Sequence, residues 1–215
     1  MQRLHIVNHS LVGHKLSLLR DKRTDPRDFR ELLREITLIL TVEATRDLST
    51  KPTRVETPLA IADGSLLAGE PPVAVPILRA GLAMVEAFLA LVPSASIGHV
   101  GLYRDPESHE PVEYYAKMPP DLSERPSQNV DPMLATGGSA VAAIDFIKAA
   151  GGSSIVLLSV IAAPEGVEKV HEVHKDVSIY LAALDERLDE RAYIVPGLGD
   201  AGDRLFGTQD NRSPG

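Results

Sequence analysis

Apolar residues along the chain alternate between two kinds of pattern. Phe29, Leu32, Leu33, Ile36, Ile39 and Leu40 recur at helical spacing and mark one face of a helix. Asp25 precedes that run as a cap, and Pro26 suits the first helical position. Arg27, Arg30, Glu31 and Arg34 fall on the other, solvated face. Ile155 to Ala163 is instead a continuous apolar run, which predicts a buried strand. Val73 to Leu78, Ile97 to Tyr103 and Val177 to Leu184 predict three further strands. Arg79-Ala80-Gly81 turns into a helix ending near Pro93. Residues 139–150 form a helix stopped by Gly151-Gly152, and Pro164-Glu165-Gly166 opens another. This alternation predicts an α/β fold with a mostly parallel sheet flanked by helices on both faces. Residues 48–72 mix Pro, Thr, Gly and acids and predict irregular chain or short edge strands. Arg104 to Ser123 carries four prolines without a period, which predicts a long loop or a β-hairpin arm.

Composition narrows the classes. The 215 residues suffice for one α/β domain spanning 1–215, and no repeat divides them. Aromatic residues are 4% and Trp is absent, so the core must rest on Leu, Ile, Val and Ala. The formal net charge of −8 argues against a nonspecific grip on nucleic acid. With no cysteine, disulfide scaffolds, thiolate zinc sites and Cys nucleophiles are excluded. Met1 to Val7 does not read as a signal peptide, and no apolar run is long enough to span a membrane. The expectation is a soluble cytoplasmic protein. The tail from Thr208 to Gly215 is polar.

The chemistry concentrates where strands are predicted to end. Val130-Asp131-Pro132-Met133-Leu134-Ala135-Thr136-Gly137-Gly138-Ser139 couples one carboxylate to a small-residue loop that runs into a helix. Such a loop lets backbone N–H groups and a helix N-terminus close on a phosphate, while Asp131 accepts from sugar hydroxyls. Arg79 and Arg104 each end a strand and can present a guanidinium to a diphosphate. Tyr193-Ile194-Val195-Pro196-Gly197-Leu198-Gly199-Asp200-Ala201-Gly202-Asp203 is a glycine-spaced segment whose backbone can read the edge of a base.

Together these four segments resemble the pattern of uracil phosphoribosyltransferases, a branch of the type I phosphoribosyltransferases, in order and at similar spacing. Most relatives in that fold place two acids before the loop; here Val130 takes the first place, as in the uracil branch. The resemblance also covers Leu40 to Asp47 and Ala162 to Gly166. It implies the type I fold with a hood at about 104–123 and a uracil-binding segment at about 189–207. It assigns Arg79, Arg104, Asp131, Pro132, Met133, Leu134, Ala135, Thr136, Gly137, Gly138, Ser139 and Asp200 to phosphoribosyl diphosphate (PRPP). Ile194, Gly199, Asp200 and Ala201 would bind uracil. Arg79, Arg104, Asp131 and Asp200 are the implied catalytic residues, with Mg²⁺ arriving on PRPP rather than on a protein metal site. The implied reaction gives UMP and diphosphate. A homodimer or larger homo-oligomer and a GTP effector are further implications of the family, with neither a membrane nor a nucleic-acid partner. No strong general base stands out in these motifs.

The rival reading is a pyrimidine-sensing RNA-binding regulator of the same fold, against which the acidic charge counts. Two features depart from the family pattern. Val42 stands where a Tyr is expected. The strand ahead of the loop reads Ser127-Gln128-Asn129, where an apolar run is expected. Those polar groups must find partners, lie shallowly, or cost stability. His171 and His174 are three apart on a predicted helix and read as surface residues rather than metal ligands.

Overall fold

The computed structural model describes residues 3–104 and 111–208, with Arg104 and Pro111 described by backbone alone. The chain opens with β1 (Leu4–Ile6), α1 (Ser10–Arg20) and α2 (Pro26–Ala44). Asp25 caps α2 by accepting the Asp28 N–H at 2.9 Å, and Phe29, Leu33, Ile36 and Leu40 are buried on its inner face. Thr37 and Thr41 are also buried; their hydroxyls donate to Leu33 O and Thr37 O, so no polar atom is stranded there. Nothing in the sequence singled out α1. Its cap is His9, whose Nδ1 accepts the Leu11 N–H, and only Val12, Leu16 and Leu19 are buried along it.

Residues 48–72 depart from expectation. They form β2 (Thr50–Glu56) and β3 (Ile61–Leu67), a separate antiparallel hairpin rather than irregular chain or edge strands of the main sheet. Neither face is buried, so no alternation of apolar and polar residues marks it. Leu59, Ile61, Leu66 and Leu67 are all exposed.

Next come β4 (Val73–Leu78), α3 (Leu82–Leu91), β5 (Ser96–Ile97), β6 (His99–Arg104) and β7 (Pro111–Lys117). The single strand predicted over Ile97–Tyr103 is interrupted at Gly98, whose N–H still donates to Ala74 O of β4. β7 runs antiparallel to β6, which realises the predicted arm, although residues 105–110 lie outside the described part. The remaining elements are β8 (Ser127–Val130), β9 (Met133–Leu134), α4 (Gly138–Ala149), β10 (Ile155–Ala162), α5 (Pro164–Val173), β11 (Ser178–Leu184), β12 (Arg187–Leu188), β13 (Ile194–Val195) and α6 (Ala201–Phe206).

The main sheet runs β1-β11-β10-β8-β4-β6-β7, parallel at every step except β6–β7. One face packs Val130, Leu158 and Val160 against α1, α2 and α6. The other packs Val75, Leu157 and Ile179 against α4 and α5. Helices therefore cover both faces, as predicted. His174 is buried rather than on the surface. Its ring lies 3.2 Å from Lys148 Nζ and 3.3 Å from Val141 O.

The polar strand sits at the centre of this sheet. β8 is paired on both sides, by β4 and β10, and all its residues are buried. Ser127 Oγ donates to Arg125 O, but Gln128 Oε1 and both amide atoms of Asn129 have no hydrogen-bond partner among the described residues. Asn129 is level with Val75 and Leu157, within the apolar layer beneath α4. Among the three outcomes open from sequence, the strand neither lies shallowly nor satisfies these groups. Replacing Asn129 with Val, of suitable shape for a strand, is predicted to stabilise the protein by about 1–2 kcal/mol, or about 2–8 °C in Tm. Thermal melts of Asn129→Val measure this directly; a lower Tm would show that Asn129 is satisfied.

Candidate active site

Because the strands are parallel, β4, β6, β8, β10 and β11 deliver their C-terminal ends and following residues to one edge of the sheet. Three of the four predicted segments begin there, and the fourth is tied to it.

After β8, the Asp131 N–H donates to Leu158 O, and Pro132 O accepts the N–H groups of Val160 and Ile161. These bonds hold the start of the loop against β10. β9 then pairs with Ile161 and Ala162. Gly137 takes a left-handed conformation, φ 82°, and opens α4. The first turn of α4 has neither a side-chain cap nor an acidic residue, so its positive end is left for an anion. Asp131, Ala135, Thr136, Gly137 and Ser139 line a cavity of about 190 Å³ at this helix end. Gly138 is the first residue of α4 itself. A Cβ on Gly166, in the first turn of α5, would overlap the carbonyl oxygen of Ala135. The loop backbone is thus held between β10 and α5 at a distance only glycine permits.

Burial pushes the Asp131 carboxyl up to about 7, opposed by a hydrogen bond from the Met133 N–H. Ser159 lies one step beyond the Val130–Leu158 pair and so stands beside Asp131. Its hydroxyl is buried, has no hydrogen-bond partner among the described residues, and borders the same cavity. In sequence its only signal is a lone hydroxyl within an apolar strand.

Arg79 follows β4 across a cis peptide bond from Leu78. It is exposed, and its guanidinium lies 5.9 Å from the centroid of the Phe206 ring. Arg79 therefore meets the C-terminal segment directly. Arg104 ends β6, beside β4 as predicted, but its side chain lies outside the described residues.

In the C-terminal segment, β13 pairs antiparallel with β12 and buries Ile194. The Val195–Pro196 bond is cis, and Gly197 and Gly199 both have positive φ. Asp200 is exposed and caps α6, with Oδ1 accepting the Asp203 N–H at 2.9 Å. Ala201 is buried. Two arginines that no motif marked hold this segment. Arg204 Nη1 donates to Leu198 O and Leu19 O, Nη2 donates to Asp21 O, and the guanidinium lies over the Phe29 ring. Desolvation lowers its pKa from the usual arginine value. Arg20 pairs with Asp185, the residue that follows β11. These partners are far apart in sequence, so no local pattern reveals them.

Among the described residues, no group of three or more His, Cys, Asp or Glu side chains is placed to hold a metal ion. No helix among them is long and apolar enough to cross a membrane.

Comparison with known proteins agrees with this geometry. A solved protein from Aquifex aeolicus, AQ2163, superposes with a TM-score of 0.90 at 36% identity, covering 96% of this chain and 99% of that one. Adenine phosphoribosyl transferase from Trypanosoma brucei, at 10% identity and a TM-score of 0.60, covers 100% of this chain and 94% of its own and shares the fold alone. The architecture is the type I phosphoribosyltransferase fold. The uracil phosphoribosyltransferase of Symbiobacterium thermophilum is 59% identical over 97% of this chain and 100% of its own length. The family description "Uracil phosphoribosyltransferase" matches residues 6–208. On this full-length similarity, the chain belongs to the uracil phosphoribosyltransferase family.

Proposed function

We propose that the protein transfers the phosphoribosyl group of PRPP to uracil, releasing diphosphate and forming UMP. The observation that carries this reading is the uncapped end of α4 beside a single half-buried carboxylate, Asp131, whose pKa is raised. A 5′-phosphate at that helix end places the ribose hydroxyls toward Asp131 and aims C1 of the sugar at the base. The bond from C1 to the diphosphate oxygen breaks as the bond from C1 to the uracil nitrogen forms, and the proton of that nitrogen is released to solvent or to the departing diphosphate. Charge builds on the leaving diphosphate, and we assign Arg79 and Arg104 to it. Met133, Leu134 and the rest of the stretch to Ser139 are assigned to PRPP, with Asp200 facing it. Ile194, Gly199, Asp200 and Ala201 are assigned to uracil through their backbone. The arm from Arg104 would act as a hood that excludes water, the competing nucleophile.

Mg²⁺ is part of the proposal. An ion that arrives on the diphosphate and keeps its waters needs only one or two carboxylates, and Asp131 and Asp200 are the ones we would assign to it. When bound, it would neutralise diphosphate charge. The exposed apolar residues of the β2–β3 hairpin support a homodimer or larger homo-oligomer. GTP stands as an effector implied by the family. A cytoplasmic location suits substrates whose phosphate charges bar them from crossing a membrane unaided. The RNA-binding alternative is disfavoured by the net charge of −8.

Incubating folded protein with labelled uracil, PRPP and Mg²⁺ should yield UMP and diphosphate in equal amounts; folded protein yielding no UMP above background contradicts the proposal. Gly166→Ala should lower kcat/KM for PRPP by about tenfold to a hundredfold, because the Ala135 carbonyl must move. Steady-state kinetics with PRPP varied would read this, and an unchanged value would separate the loop position from catalysis.

The Asp131 shift gives a pH test with a definite sign. A carboxyl held at about 7, against an ordinary 3.8, keeps its proton through the acid range in the folded protein and loses it around neutral pH. Its contribution to stability is full below the ordinary value and is lost as pH rises through about 7. Asp131→Asn should therefore gain thermal stability relative to wild type between acid pH and pH 8. In the other direction, kcat/KM for PRPP should fall below pH 7 in the wild type, and that limb should flatten in Asp131→Asn. Parallel profiles for the two proteins would remove Asp131 as the titrating group.

A further inference from the structure

We infer that the Arg20–Asp185 ion pair is a positioning device that sets the backbone facing uracil and ties it to the phosphate loop. The inference deepens the proposed function and rests on assigning Ile194 and Gly199–Ala201 to the base. The Asp185 side chain is only 3% exposed. Arg20 meets it as a fork, with Nη1 donating to Oδ2 at 2.8 Å and Nη2 donating to Oδ1. The pair then closes on one peptide residue from both sides. The Gly197 N–H donates to Asp185 Oδ2 at 3.0 Å, and Gly197 O accepts from Arg20 Nη1 at 2.7 Å.

Gly197 lies between Ile194 and Gly199 at the tightest part of the turn. Its φ is +63°, and a Cβ there would overlap the Ile194 carbonyl. A rotation of this residue therefore swings the chain on both sides of it. Arg204 holds the next carbonyl, Leu198 O, at 2.9 Å. With both carbonyls held from outside, the following backbone has little freedom left.

The same pair registers the base-facing turn against the sugar-phosphate loop. The Asp185 N–H donates to Ala162 O at 2.8 Å. Ala162 pairs with Leu134 of the loop, and the Ala163 N–H donates to Leu134 O at 2.9 Å. One short path of hydrogen bonds thus runs from Gly197 through Asp185 to the loop. A half-buried ion pair is by itself weak evidence for stability, since desolvation offsets its attraction. Its two contacts with one glycine are better explained by geometry: they fix where the nucleophilic base sits relative to C1 of the sugar.

Asp185→Asn removes the charge that holds Arg20, and Arg20→Lys keeps a cation but loses the fork that spans Asp185 and Gly197 O. Either change should raise KM for uracil and lower its kcat/KM by about tenfold to a hundredfold, with KM for PRPP within about twofold of wild type. A merely structural role would reduce the folded fraction, lowering kcat while leaving both KM values unchanged. Should Asp185→Asn fail to fold, Arg20→Lys reads the same ratio. An active wild type whose variants keep the wild-type KM for uracil, or shift both KM values together, overturns the positioning role alone. A folded wild type that forms no UMP overturns the functional reading as well.

Discussion

The positive end of α4 is left without a side-chain cap at the mouth of the central strand β8, and the site is organised around it. A helix end of that kind favours an anion, but only if the chain leading into it is held rigid. Here it is held from three directions. β10 bonds the start of the loop at Asp131 and Pro132, β9 pairs with the end of β10, and the first turn of α5 presses on the Ala135 carbonyl. Asp131 is consequently half-buried beside this helix end, where desolvation raises its pKa.

The second half of the site follows a different rule. The residues assigned to uracil contribute backbone, so side chains located elsewhere must fix their geometry. Arg204 reaches the segment from α6, and Arg20 and Asp185 reach it from α1 and the end of β11. This explains why α1, which buries only Val12, Leu16 and Leu19, matters to the site: its last residue is Arg20.

How legible these features are in sequence depends on whether their cause is local. The turn at Gly137 into α4, the Asp25-Pro26 helix start and the continuous strand at Ile155 are read from neighbouring residues, and the structure has them. The β2–β3 hairpin was obscure because neither of its faces is buried, and α1 because His9 caps it. Ser159 and the Arg20–Asp185 pair depend on register and on contacts between distant segments, which no motif records. For Ser127-Gln128-Asn129 the sequence leaves three outcomes open, because their surroundings are set by strand pairing: β4 and β10 on either side carry them into the core. The loop that follows keeps its bonds to β10.

The most direct measurement is a crystal structure of the full chain with UMP bound. The account places the 5′-phosphate at the N-terminus of α4, the ribose hydroxyls on Asp131, and the uracil edge on the backbone of Ile194 and Gly199–Ala201, with Gly197 still held by Arg20 and Asp185. A nucleotide whose phosphate lies away from α4, or whose base lies away from the C-terminal segment, would contradict it.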